Sequence, residues 1–434
     1  MTSADAESSV HRPIQRPLDS IKLLIVHPHG RAGSVFLQSL FDGHPEVVTL
    51  PHFGPIYEVL PLTIEDVDGC LDEFVRRRPH LFDSSLGYFG QGTATVSGAF
   101  GPAADQHLVV SSDQFRGIFR EILRRHCPEK ARPISRANFF RLVHLAYGET
   151  VRKVPLAGIK YILYHPHKYG EFEALAAEFP DLAYIAMTRD PRQDWESWRK
   201  VIAGRVHSKI DSLSFIFLLK TIAMYSSDVA NLVRLCQQLG PGRFKIIDLD
   251  RLHLLNKSAM ESLCLWLSLQ YDTCLLQSTF NGQLWAGNAA SRTRMSSFEP
   301  DRKSQVWRTE LPPDEIQLIS SVLSPSIAWL GYEKIVAARP GGMRSYFDSG
   351  VKFTVLVRFL AQSLREKAAA PAPSLDSSPL RRFRALYRKT REMAGFVRAE
   401  LRCFMDGGYR RAWSKLDVEQ NVIAGVPAPR EAFL

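Results

Sequence analysis

Short apolar runs recur along the first half of the chain, and each gives way to a polar turn. Leu23-Leu24-Ile25-Val26 stops at His27-Pro28-His29-Gly30. Beyond it Val35, Leu37, Leu40 and Phe41 recur at helical spacing. Tyr184-Ile185-Ala186-Met187 stops at Thr188-Arg189. There Asp190 suits a helix N-cap and Pro191 the first helical position. Gly158–Ile162 reads as a short strand carrying Lys160, and Phe244–Leu252 as a further parallel strand running into a helix. Unbroken apolar runs describe strands buried on both faces. Such strands alternating with helices predict an α/β fold with a central parallel sheet.

The same reading divides the chain. Residues 1–20 are polar and form a disordered leader, and 21–338 form the α/β domain. Within it, 63–150 is an insertion. It holds a turn-prone piece, Gly87–Gly101, and an Arg- and Phe-rich helical stretch, Phe115–Tyr147. Asn281–Asn288 and Val306–Leu311 close the domain, before a last helix ending at Leu330-Gly331-Tyr332.

Composition adds little until charge is placed. The chain has 434 residues, 45% of them hydrophobic, enough for a large core. No apolar run approaches the ~20 residues of a membrane span, and the N-terminus lacks a signal-peptide core. The six cysteines (70, 127, 236, 264, 274 and 403) form no C-x-x-C pair, and no His cluster has metal spacing. A cytoplasmic protein with reduced thiols and no metal is expected. The formal net charge is +10, yet residues 339–434 alone hold eighteen Lys and Arg against nine Asp and Glu. The excess therefore sits in a basic, helical C-terminal extension, with a Pro/Ala/Ser linker at 368–379. Leu380–Leu416 interleaves Arg with Phe383, Leu386, Phe396 and Leu401. This amphipathic pattern fits docking on an anionic membrane surface, self-association, or packing on the core. Nothing in it points to nucleic acid.

Candidate chemistry lies at two strand ends. Arg31-Ala32-Gly33-Ser34-Val35 opens the first helix. Unpaired N–H groups and the helix dipole favour an anion there, Gly33 permits close approach, and Arg31 and Ser34 add donors. Taken alone, the segment also fits a plain strand–turn–helix. It is not a Walker loop, because no Lys precedes Ser34. Arg189 stands at the carboxyl end of a strand, where open α/β sheets bind ligands, and Ser197 follows two turns into the next helix.

Together these segments resemble the two phosphate loops of sulfotransferases that use 3′-phosphoadenosine-5′-phosphosulfate (PAPS), of the carbohydrate and tyrosyl-protein type. Arg31–Val35 is similar to their 5′-phosphosulfate loop, although Ala32 and Val35 replace two hydroxyl residues. Leu40–Val47 resembles the end of the same helix in that family. Arg189-Asp190-Pro191-Arg192 with Ser197 matches their 3′-phosphate motif. The resemblance spans roughly 21–335 and implies a P-loop-like three-layer sandwich. It implies PAPS as sulfuryl donor and a hydroxyl-bearing acceptor, which is a carbohydrate, small metabolite or peptide. Arg31, Ala32, Gly33, Ser34 and Val35 would line the 5′-phosphosulfate, and Arg189 and Ser197 the 3′-phosphate. Lys160 would add charge at the bridging oxygen. Counting from Arg31 places His52 where the family carries its general base, with Glu58 as fallback. Two alternatives stay open: a non-catalytic relative that binds a polyanion through its tail, and another nucleotide-dependent transferase.

Overall fold

Leu23 to Val26 and Ala183 to Met187 are buried without a break, so side chains of both parities need apolar cover. The computed structural model supplies it with a layer of helices on each face of one sheet. It describes residues 17–28, 31–51, 56–57, 59–86, 100–103, 105–127, 133–153, 158–166, 172–206, 214–285, 287, 297–300, 305–334, 423 and 430–434.

In chain order the elements are β1 (Lys22–Pro28), α1 (Ser34–Leu40), β2 (Val47–Thr49), β3 (Thr63–Ile64), α2 (Val67–Arg77), α3 (Ser112–His126), β4 (Ile134–Ser135) and α4 (Arg136–Arg152). There follow β5 (Tyr161–Tyr164), α5 (Phe172–Glu178), β6 (Ala183–Thr188), α6 (Pro191–Val206), α7 (Ser214–Leu239), β7 (Phe244–Asp248) and α8 (Leu249–Leu267). A small hairpin, β8 (Thr279–Phe280) and β9 (Gln283–Leu284), precedes α9 (Trp307–Glu310), α10 (Pro313–Val322) and α11 (Ser324–Trp329).

The sheet has the order β2-β5-β1-β6-β7, and every neighbouring pair runs parallel. Leu24 stands beside Leu163 on one side and Ala183 on the other, and Tyr184 beside Phe244. Leu24, Val26, Leu163 and Ile185 face one core with Phe36, Leu37 and Leu40 of α1 and Leu252, Met260 and Leu263 of α8. Leu23, Ile25, Ile162 and Ala186 face the other, with Phe140 and Val143 of α4 and Ile222, Val229 and Val233 of α7. The fold is thus a three-layer α/β sandwich.

The insertion belongs to the second layer. β3 and β4 pair antiparallel, and Asp66, Ser111 and Ser135 cap α2, α3 and α4 through their side-chain oxygens. The Phe residues of the Arg- and Phe-rich stretch turn inward. Phe115, Phe119, Phe139 and Phe140 are fully buried, and Phe140 meets Tyr164 of the sheet edge-on at 5.2 Å. Most of Gly87–Gly101 lies outside the described residues.

Residues 1–16 of the leader and most of the basic extension, including the linker and Leu380–Leu416, also lie outside them; the leader's last residues are ordered, against expectation, because Leu18 is buried in the core and Leu18–Ser20 forms a short 3-10 turn. The chain's last segment does not. Leu434 donates its N–H to the Ile246 carbonyl at 3.3 Å, and the Glu431 carbonyl accepts from Lys245 Nζ at 2.7 Å. Phe433 packs with one core and Leu434 with the other, so residues 430–434 cover the otherwise open β7 edge. Among the described residues no helix is long and apolar enough to cross a membrane.

Candidate active site

Strand order fixes where a site can form. After β1 the chain crosses toward β2, and after β6 toward β7, so connections from these adjacent strands leave in opposite directions. Ligands of open parallel sheets bind in the crevice at the carboxyl ends of such a pair. Here the β1 exit is Arg31–Ser34 and the β6 exit is Arg189–Ser197.

The first loop is shaped by Gly33, the N-cap of α1, at φ +74°. Its carbonyl accepts the first helical hydrogen bond, from the Leu37 N–H at 3.0 Å. A Cβ built on Gly33 would come within 2.5 Å of Leu249 Cδ1 at the start of α8. The left-handed backbone disfavours any other residue, and Leu249 would have to shift to admit a Cβ. Ala32 is buried among the apolar residues beneath α1, so it meets the crevice through backbone alone. Ser34 is buried and Val35 half-buried.

The second loop grips the first. The Arg31 N–H donates to Asp194 Oδ1, and Arg31 Nε donates to Ser197 Oγ at 3.1 Å. The Arg31 guanidinium lies 5.7 Å from the centroid of the Trp198 ring. Asp194 is wholly buried in the first turn of α6. The Arg-Asp-Pro-Arg segment divides its labour. Asp190 caps α6 by accepting from the Arg192 N–H at 2.9 Å. It also takes the Arg192 guanidinium on both oxygens, at 2.8 and 2.6 Å. Arg192 is fully buried, 4.2 Å over the Trp307 ring, so it serves the scaffold. Arg189, also buried, sits where β6 ends. Its backbone carbonyl accepts from Tyr225 Oη at 2.8 Å, and its Nη2 stands 3.3 Å from Asp250 Oδ1. Its Nε is buried without a hydrogen-bond partner. A buried guanidinium with donors to spare fits a phosphate.

Deeper in the same edge, Asp248 caps α8 through the Arg251 N–H at 2.8 Å and accepts from Tyr332 Oη at 2.7 Å. Burial raises the Asp248 carboxyl despite these bonds. Burial likewise pushes the Tyr225 and Tyr332 hydroxyls far above their ordinary value, so both stay protonated donors.

A third strand end completes the edge. β5 runs beside β1 and is followed at once by His165, which is 1% exposed. Its Nδ1 lies 3.0 Å from Gln38 Oε1. Gln38, on α1, donates from Nε2 to the Leu50 carbonyl at 2.7 Å and to Thr49 Oγ1 at 3.1 Å. The order along the edge is therefore His165, Arg31 and its loop, then Arg189.

Lys160 is corrected out of this site. The strand expected at 158–162 runs at 161–164, so Lys160 precedes it, at the amino end of the sheet and opposite the phosphate loops. Its ammonium pairs with Glu46 at 2.5 Å and donates to the Ser268 carbonyl at 2.8 Å. A chain cannot carry charge from there to the carboxyl edge. His52 and Glu58 lie outside the described residues. The structure joins Arg31 directly to Ser197, with Gly33 and Ser34 next to Arg31 in the same loop, and places Arg189 at the end of the adjoining strand. To these it adds Asp194, Asp250, Gln38 and His165, which the sequence reading did not single out. His165 carried the same signal as Arg189, a polar residue closing an apolar run.

Among the described residues no group of three or more His, Cys, Asp or Glu is arranged to hold a metal. Among curated proteins no sequence match is found. Solved structures that resemble the chain include two sulfotransferase domains. A "Sulfotransferase Domain from the Curacin Biosynthetic Pathway" aligns at 16% identity and a TM-score of 0.40, over 74% of this chain and all of that one. A "Sulfotransferase Domain from the Synechococcus PCC 7002 Olefin Synthase" aligns at 17% identity and 0.34, over 71% of this chain and 94% of that one. The sequence profile of the Sulfotransferase family matches residues 24–273, more than half of the length and every strand of the parallel sheet. The chain belongs to the sulfotransferase family.

Proposed function

We propose that the protein transfers a sulfuryl group from PAPS to a hydroxyl of an acceptor, which is a carbohydrate, small metabolite or peptide. The observation that carries this reading is the Arg31 Nε to Ser197 Oγ bond, which joins two loops 166 residues apart at the switch point of the sheet. The bound donor would supply an activated sulfate and an adenosine bisphosphate leaving group. The residues present suit it. Arg31 and the N–H groups at Gly33 and Ser34 would hold the 5′ end, and Arg189 with Ser197 the 3′-phosphate. The spare Arg189 Nε supports that assignment.

Transfer of this kind passes through a loose, in-line transition state, so the protein's work is positioning and charge placement. Arg31 opposes the negative charge that gathers on the leaving phosphate. Asp194 keeps the Arg31 backbone in place. The acceptor approaches from the β5 side, where His165 takes the hydroxyl proton. Histidine is suited to that task near neutral pH. His52 is the competing base, and the two are separated by single substitutions.

The extension around Leu380–Leu416 is proposed to dock on an anionic membrane surface, on the strength of its Arg-rich amphipathic pattern. The primary test is calorimetric titration with adenosine 3′,5′-bisphosphate and with adenosine 5′-monophosphate. Tight binding of the first and weak binding of the second supports the reading. Equal affinities remove the 3′-phosphate assignment, and no binding of either favours a non-catalytic relative.

A further inference from the structure

Gln38 is 1% exposed and lies between the carboxyl ends of β2 and β5. Its amide orientation follows from its partners. The atom facing the Leu50 carbonyl, at 2.7 Å, has to donate, because a carbonyl oxygen only accepts. That atom is therefore the amide nitrogen. The amide oxygen then faces His165 Nδ1 at 3.0 Å and itself only accepts. So Nδ1 carries the hydrogen. A neutral imidazole has one N–H, which leaves the lone pair on Nε2.

We infer that Gln38 is a positioning residue, whose amide oxygen holds His165 in the Nδ1–H tautomer so that Nε2 receives the acceptor's proton. The inference rests on the sulfotransferase reading above. In the transfer the acceptor oxygen bonds to sulfur as its proton moves to His165 Nε2. The bond between sulfur and the bridging oxygen breaks, and its electron pair leaves with the bisphosphate. The imidazolium then carries two N–H groups, and the Gln38 oxygen continues to accept the one at Nδ1. Leu50 and Thr49 hold the amide from the other end, and a flip would set its oxygen against the Leu50 carbonyl, so the orientation is fixed. The arrangement ties the base to α1, the helix that the phosphate loop opens. Donor loop and base are thereby set by one element.

The test combines nitrogen NMR of histidine-labelled protein with binding and turnover. The resonance is assigned with His165→Gln. In the wild type, the unprotonated ring nitrogen of His165 should be Nε2. Gln38→Met keeps the side chain's length but removes the acceptor. It should let the hydrogen move to Nε2 and lower turnover of labelled PAPS on a panel of simple alcohols and phenols by ~10² or more, the worth of a positioned base. Gln38→Glu, protonated, keeps a donor toward Leu50 and an acceptor toward Nδ1. It should restore the Nδ1–H tautomer and most turnover. Both variants should bind adenosine 3′,5′-bisphosphate like the wild type, because neither touches the phosphate loops. An Nε2–H ring in the wild type overturns the inference, as does a tautomer and turnover unmoved in Gln38→Met. His165→Ala separates the two levels. If it retains turnover, the base assignment fails. If it loses turnover while Gln38→Met does not, only the role of Gln38 fails.

Discussion

Replacing Arg189 with Ala removes the guanidinium proposed to hold the 3′-phosphate at the end of β6. Arg189 is 4% exposed, so its bonds to a phosphate would form largely out of water. Each hydrogen bond to a charged partner is worth ~1.5–3 kcal/mol, and a bidentate fork makes two. Against this, Asp250 already draws on the guanidinium at 3.3 Å, a long contact that a phosphate oxygen could outcompete. Taking one strong bond as the net loss gives ~1.5–3 kcal/mol, or a ~10- to 150-fold rise in the dissociation constant of adenosine 3′,5′-bisphosphate. Removing the arginine also leaves the Asp250 carboxylate facing the phosphate, which pushes the result toward the upper figure. Arg189→Lys should fall between, because it keeps the charge and loses the fork. Adding Asp250→Asn to Arg189→Ala should recover part of the affinity. The assay is calorimetric titration of the bisphosphate, with the exposed Arg124→Ala as control. An Arg189→Ala constant within two-fold of the wild type would refute the assignment.

Other expectations follow from separate parts of the structure. Gly33→Ala should weaken bisphosphate binding and lower the melting temperature by several degrees, since a left-handed non-glycine costs ~1–2 kcal/mol before the Leu249 contact is counted. Lys160→Ala should leave turnover unchanged, as its ammonium holds Glu46 at the far end of the sheet; a large loss of turnover would return it to the site. Burial holds His80 and His144 down to about 4, against 6.5 for the free ring. The unfolded chain therefore binds more protons between those values, and stability measured by thermal melts should fall as pH drops from 6.5 toward 4. Residues 430–434 lie on β7, so vesicle docking is tested with Arg381, Arg382, Arg384 and Arg388 changed to Gln rather than by truncation. The wild type should co-sediment with anionic vesicles at low salt and the variant should not; equal binding to neutral vesicles would dismiss a charge-driven surface.

The sheet was legible because its strands are apolar on both faces, a pattern that exposed or alternating segments do not make. Arg189 was legible because it closes such a run, and Arg31 because it opens the helix that follows one. Lys160 misled for a related reason. Tyr161-Ile162-Leu163-Tyr164 is buried throughout, and its aromatic ends made the run look earlier than it is. That shift of frame put Lys160 inside the strand and left His165 unremarked just past its end. Asp194, Asp250 and Gln38 carry no local signal. Their importance lies in bonds to residues 163, 61 and 127 positions away, which only the folded crossovers create.

The central claim, sulfuryl transfer at the carboxyl edge of β5, β1 and β6, is tested most directly by incubating the full chain with PAPS carrying radiolabelled sulfur and a panel of alcohols, phenols and amines. The account predicts label on a hydroxyl acceptor, with stoichiometric adenosine 3′,5′-bisphosphate, and loss of that transfer in both Arg31→Ala and His165→Ala. Undiminished transfer in those two variants would contradict it.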